Sequence, residues 1–442
     1  MLRAPRIRDA TSSVGPAIRA ALALGVLIAP AIMLAQNQRA PATKPADVPG
    51  LLKAASIALD RKDLPAAVKA LTAVLEIEPE LPAAWFNLAY AYTGLNQNED
   101  AVKAYQKTLQ LQPDLFEAHL NLGILLIEMH RVADALPHLE EAVKLQPQHV
   151  RAHLYYGRVL SATGKTDAAE TQFAEALRLD PSLAIAHFDL GQLYLAKRDF
   201  ANALAAFQKA AELDPKLPQA RLGTALALEG LNRPAEAVTA FEQYLAAKPD
   251  DLETRFHLVR MYLAQKQNEK ALENLKIIYG ANPDQPGVAA ALGDVHALLK
   301  QFGESEKYYR EALLASPREP DLHRALGQTL VHIEKFADAE AEFRACLQFD
   351  PKNFDAFRGL ATSLYLQKRY PEAIPLFEAQ AGAANPPAGV FFVLATSYDH
   401  LHDRPKALQN YERFLQLSQN QNPDQEWQAR QRVKLLRREL RK

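Results

Sequence analysis

The chain has almost no cysteine: Cys346 is alone among 442 residues, which excludes an intrachain disulfide framework and any Cys-rich metal site. Glycine is scarce, at 18 residues. Charge of one sign is missing too. Lys and Arg number 51 against 52 Asp and Glu, for a formal net charge of −1, so the chain has no bulk positive charge with which to hold nucleic acid. Beyond residue 35 no uncharged apolar run approaches the 18 or more residues of a spanning helix. Also absent are a Gly-rich phosphate cradle, a serine elbow between glycines and a paired-His zinc helix. The hydrophobic share of 48% nevertheless suffices for a core and excludes a disordered chain. With glycine low and nearly every proline at the edge of an apolar periodic stretch, the composition predicts a mainly helical protein.

The N-terminus reads as an address. Arg3, Arg6, Arg8 and Arg19 precede the apolar run Ala20 to Ala35, which is too short to span a bilayer and contains Gly25 and Pro30. Residues 1–35 are therefore expected to be a signal peptide and the protein to be exported, periplasmic or secreted, with an uncleaved N-terminal anchor as the alternative. After signal removal no membrane span is expected. Residues 36–47 are polar and rich in Pro and Ala, a flexible linker.

A period of 34 residues organises the rest of the chain. Pro45, Pro79, Pro113, Pro147, Pro181, Pro215, Pro249, Pro283, Pro317 and Pro351 are evenly spaced. Ten residues after each stands a small residue, as at Ala89, Gly157, Gly191 and Gly327, with Val259 the exception. Twelve further on comes Ala or Ser, as at Ala203 and Ser305, and four beyond that a large apolar residue such as Phe173, Phe207, Tyr309 or Phe343. Proline ends one helix and biases its predecessor out of the α region; an amphipathic stretch, a short polar turn and a second amphipathic stretch then lead to the next proline. Each period is thus a pair of antiparallel helices whose small residues allow close approach while the aromatic fills the space beside them. One such hairpin cannot cover its own apolar face, so neighbours must stack.

The unit from Ile185 to Leu213, with Leu190-Gly191, Tyr194, Ala203, Phe207, Ala210 and then Pro215, resembles the tetratricopeptide repeat (TPR), as does the set Trp85, Leu88, Tyr92 and Ala101. The resemblance implies an all-α fold, an α-solenoid of stacked helical hairpins forming a right-handed TPR superhelix. Eleven units fit residues 48–421, and residues 422–442 restart at Pro423 as a capping helix with Ala429, Val433, Leu436 and Leu440 on one face. The segment Gln380 to Ala384 departs from the pattern and reads as a weakened joint. The other face of the last helix carries Arg430, Arg432, Lys434, Arg437, Arg438, Arg441 and Lys442 against Asp424, Glu426 and Glu439. It is either a solvated capping face or a contact for an acidic or membrane surface.

No catalytic domain fits into the residues outside the units, and no catalytic residues, metal site or cofactor are assigned. His119, His153, His187 and His323 share one repeat position with Trp85 and Phe357. Helices pack about 8–10 Å apart whereas two ligands of one zinc must both lie within about 2.1 Å of it, so one His per repeat cannot share a metal; these are polar-tipped packing residues. Asp399, His400, His402 and Asp403 gather at the turn of the eleventh unit, where metal ligands and solvated helix-flanking residues are both consistent readings.

In a stack of this kind the first helices line the concave side. By resemblance to TPR grooves, partner-facing positions fall seven, eight and eleven residues after each proline: Phe86, Asn87, Tyr90; Leu120, Asn121, Ile124; Leu154, Tyr155, Arg158; Phe188, Asp189, Gln192; Leu222, Gly223, Leu226; Phe256, His257, Arg260; and later Arg324, Gln328 and Arg358. The stripe is apolar and aromatic at first and basic further on. Phe86, Leu120, Leu154 and Phe188 stand where the first Lys of a carboxylate clamp would, so that clamp is missing. The expectation is a non-enzymatic scaffold that binds protein or peptide segments and no nucleic acid. The alternative is an accessory for envelope polysaccharide export or modification, contacting glycan or a synthase.

Overall fold

The computed structural model describes residues 47–285 and 287–441, so the expected signal peptide and all of the linker but Asp47 lie outside the described residues. Every element among the described residues is a helix, twenty-three in all. The chain divides after Pro249 into two compact units. The first holds α1 (Val48–Asp60), α2 (Leu64–Ile77), α3 (Pro82–Gly94), α4 (Asn98–Leu111), α5 (Phe116–Glu128), α6 (Val132–Leu145), α7 (Val150–Ala162), α8 (Thr166–Leu179), α9 (Ala184–Ala196), α10 (Phe200–Leu213), α11 (Pro218–Gly230) and α12 (Pro234–Ala247). The second holds α13 (Leu252–Ala264), α14 (Asn268–Ala281), α15 (Val288–Leu298), α16 (Phe302–Ala315), α17 (Pro320–His332), α18 (Phe336–Phe349), α19 (Phe354–Leu366), α20 (Tyr370–Ala381), α21 (Ala388–His400), α22 (Arg404–Ser418) and α23 (Pro423–Glu439).

Within each unit, odd and even helices pair as hairpins and each hairpin packs on the next. The hairpin turn is the same throughout. One residue takes a left-handed conformation at Lys62, Asn96, His130, Gly164, Arg198, Asn232, Lys266, Lys300, Glu334, Lys368 and His402, again 34 apart. The following N–H then reaches back to the last turn of the first helix, as Gln97 does to the Tyr92 carbonyl at 2.9 Å, which closes otherwise orphaned helix-end groups. Only Gly164 is a glycine; Asn and His, which take this conformation more readily than most residues, hold four more of these positions.

The seam between hairpins has its own device. Six residues after the repeat proline a ring nitrogen donates to that proline's carbonyl: Trp85 to Pro79 at 2.8 Å, His119 to Pro113 at 2.8 Å, His153 to Pro147 at 2.9 Å, His187 to Pro181 at 3.1 Å and His323 to Pro317 at 3.0 Å. Proline terminates the preceding helix, leaving its carbonyl without a helical partner, and the Trp or His of the next first helix supplies the donor. The four histidines are accounted for as packing residues with a hydrogen-bonding tip.

Core packing follows the small–aromatic alternation. A Cβ added to Gly191 would lie 2.8 Å from the Phe207 ring, and one added to Gly223 would lie 2.5 Å from the same ring. Phe207 of α10 is therefore gripped between the first helices of its own hairpin and the next. Gly327 and Gly359 hold Phe343 of α18 in the same way. These aromatics are fully buried and are among the largest such side chains.

In the segment Gln380 to Ala384, expected as a weakened joint, the helix ends at Ala381 and Gly382 to Ala384 are exposed, while Gln380 is buried and one core includes Ile374 and Phe377 before it and Val390, Phe391 and Leu394 after it. The division between compact units falls instead after Pro249. In α23, Ala429, Val433 and Leu436 do bury against the last hairpin, but Leu440, at the helix end, stays exposed.

Candidate functional site

The inner side of each unit can be read from which helices touch. In the first unit α5 meets α7, α7 meets α9 and α9 meets α11, while no pair of successive second helices packs comparably. In the second unit α15 meets α17 and α17 meets α19. A stack whose first helices are closer together than its second helices curves with the first helices inside.

On the first unit's inner helices the expected stripe separates into two kinds of residue. Phe86, Leu120, Ile124, Leu154 and Phe188 are buried, with Leu120 and Ile124 fully so. Phe86 lies edge-on to Tyr105 at 5.8 Å between centroids and Phe188 leans on Phe207 at 5.7 Å. These five are packing residues and not exposed anchors, because a side chain filling the space between helices presents little area to a ligand. Asn121 is fully buried, and Tyr155 and Arg158 are nearly so. Asn87, Tyr90, Gln192, Leu222 and Leu226 remain partly exposed, while Gly223 is covered by Phe207.

A polar cluster missed by the spacing pattern lies among these positions. Arg158 Nε of α7 donates to Asp189 Oδ2 of α9 at 2.5 Å, with both side chains 6% exposed. Burial pushes the Asp189 carboxyl above its ordinary range, an effect the facing guanidinium only partly offsets. The Tyr155 ring lies 5.2 Å from the Arg158 guanidinium and 5.8 Å from that of Arg151. The signal for the pair is visible only in hindsight: Arg and Asp stand 31 residues apart, three short of a full period, which places them on adjacent first helices. Three buried polar atoms on these helices have no protein partner among the described residues: Asn87 Oδ1, Arg151 Nη2 and Arg158 Nη2.

In the second unit the expected basic stretch is held by local bonds. Phe256 is half-buried beside Arg260, whose Nη2 lies 2.7 Å from His257 Nδ1. Arg324 donates to Asp321 and, at 3.3 Å, to Gln328. Arg358 is exposed, 3.9 Å from Asp355 and 5.9 Å from the centroid of the Phe354 ring. Asp399 to Asp403 does not converge as a ligand set. Asp399 accepts from Nε and Nη2 of Arg432 at 2.5 and 2.7 Å, Asp403 caps α22 through the Lys406 N–H, and His400 stacks on Tyr370 at 4.8 Å. Among the described residues no group of three or more His, Cys, Asp or Glu side chains could hold a metal. Cys346 is fully buried and its thiol is pushed up to about 11 by burial, which keeps it unreactive.

Comparison with known proteins agrees with the geometry. A family model described as tetratricopeptide repeat matches in overlapping segments across residues 120–386, and a second with that description matches residues 82–115. More than half of the chain is covered, and it belongs to the tetratricopeptide repeat family. No curated protein matches it significantly. Solved structures with similar folds include MamA from Desulfovibrio magneticus, 24% identical over 39% of this chain and 98% of that one, with a TM-score of 0.38. A tetratricopeptide repeat protein from Parabacteroides merdae is 18% identical over 56% and 98%, with a TM-score of 0.43. YrrB, titled a TPR protein with an unusual peptide-binding site, is 22% identical over 43% and 98%, with a TM-score of 0.37. At such identities and scores the likeness concerns the fold alone. Members of this family bind protein segments, and among the described residues no helix is long and apolar enough to cross a membrane.

Proposed function

We propose that the protein is a non-enzymatic scaffold whose first unit receives an extended peptide segment along its inner helices. The observation that carries this reading is the row of partly exposed side chains Asn87, Tyr90, Gln192, Leu222 and Leu226 on the inner helices α3, α9 and α11. A peptide backbone suits this row, because its N–H and C=O groups can pair with the side-chain amides of Asn87 and Gln192. Tyr90, Leu222 and Leu226 add apolar contact area along it. The buried Phe86, Leu120, Ile124, Leu154 and Phe188 shape the floor without touching the ligand. Export to the cell envelope belongs to the same proposal and is supported by the basic and apolar pattern of residues 1–35.

Selection of a random peptide library on the full chain tests the groove. Asn87→Ala combined with Gln192→Ala should abolish enrichment of the selected sequences while far-UV circular dichroism is unchanged; equal enrichment on both proteins would refute the assignment. Export is tested by N-terminal sequencing of the protein recovered from the envelope of expressing cells, where a start near residue 36 is expected and a cytoplasmic, full-length product would contradict it.

A further inference from the structure

Helix α23 has a second face that the last hairpin does not use. Residues 427, 431, 434 and 438 follow the spacing of a single helical stripe, and this stripe lies opposite the buried Ala429, Val433 and Leu436. On it Trp427 is 65% exposed, and Leu435 next to it is 49% exposed. Several of the helix's cations are taken: Arg432 by Asp399, Arg430 by Glu426 and Arg437 by Glu412. Lys434, Arg438 and Arg441 have no carboxylate within ion-pair distance among the described residues. With Arg437, which is paired to Glu412, they line a shallow open hollow on the helix surface.

We propose that this face of α23 docks on an anionic phospholipid surface. Three cations without an acidic partner attract phosphate-bearing headgroups, and the long aliphatic stems of Lys and Arg let the charges stay at headgroup level while their helix settles lower. Trp427 and Leu435 supply the apolar part: an indole ring prefers the boundary between headgroups and acyl chains. An acidic protein would meet the same charges but would leave the exposed indole unexplained. The inner face of α23 stays packed on α22 through Val433 and Leu436, so docking needs no unfolding. This contact is independent of the peptide groove, which lies in the other unit.

Co-sedimentation of the full chain with vesicles tests the proposal. Phosphatidylcholine vesicles carrying phosphatidylglycerol should pellet the protein, pure phosphatidylcholine vesicles should not, and added salt should release it. Lys434→Glu with Arg438→Glu and Arg441→Glu should weaken vesicle binding by roughly tenfold or more, with an unchanged melting temperature. As a readout that does not depend on that variant folding, Trp85→Phe leaves Trp427 as the sole tryptophan, and its emission should shift to the blue on phosphatidylglycerol vesicles. Equal binding to neutral vesicles, undiminished binding of the charge-reversed protein, an unmoved Trp427 emission, or binding to soluble polyglutamate with none to vesicles would each overturn it.

Discussion

Phe207 shows how much a single atom matters in this fold. Its ring leaves no room for a side chain at either Gly191 or Gly223, so Gly191→Leu overpacks a helix contact and should cost about 1–3 kcal/mol. A denaturant midpoint that does not move would contradict the packing described. His138 carries a second prediction at this scale. Its Nδ1 lies 3.2 Å from His119 Nδ1, and because His119 uses its Nε2–H on the Pro113 carbonyl, the neutral pair has His138 as donor. Burial first, and then the neighbouring His119, hold the His138 imidazole below the usual histidine range. The unfolded chain therefore binds a proton more readily than the fold does, so stability is full above the unfolded value of about 6.5 and falls as pH drops through it. Melting temperatures measured from neutral to mildly acidic pH should decline, and His138→Gln should flatten that decline; a parallel slope in the variant would rule His138 out as a source.

At the scale of the helix and its turn, the left-handed residues offer a direct test. Glu334 adopts a φ of 61°, a region that costs a side-chain-bearing residue about 1–2 kcal/mol, whereas glycine gives back about 0.5–1 kcal/mol through its freedom in the unfolded chain. Glu334→Gly should therefore stabilise the second unit modestly, by about 0.5–1 kcal/mol, seen as a higher midpoint in chemical denaturation. The turns are legible as short polar stretches, but the left-handed residue within each is not singled out, because Lys, Arg or Glu occupies six of the eleven positions and only Gly, Asn and His favour that conformation. The helices themselves are legible, since proline spacing and the 3.6-residue apolar pattern are both local. The site is legible only as a stripe. Periodicity marks the face of a first helix, but Phe86 and Leu120 turn into the packing while Asn87 stays partly open, and that depends on how closely neighbouring helices meet. Asp189 reads as one more groove residue until its distance from Arg158 is known.

For the whole molecule the exposed ends of a stacked array decide its solubility. Helix α23 packs on α22, whose Phe414 is buried in the same core as Ala429, Val433 and Leu436 of α23. Ending the chain after Ser418 would lay that surface open. The truncated protein should bind a hydrophobic dye and show a lower melting transition for the second unit, while the pH response assigned to His138 in the first unit persists. Unaltered melting of the truncated chain would mean that α23 is not a cap.

The ring-to-carbonyl bond at each of these prolines also constrains how such a chain changes in length. It joins residues six apart across the boundary between two modules, so one inserted or deleted residue there would pull the donor off its oxygen and rotate every later helix out of step. Lengthening at that boundary must therefore proceed by duplicating an intact module, which makes these prolines the natural seams for recombination and for engineered arrays of chosen size.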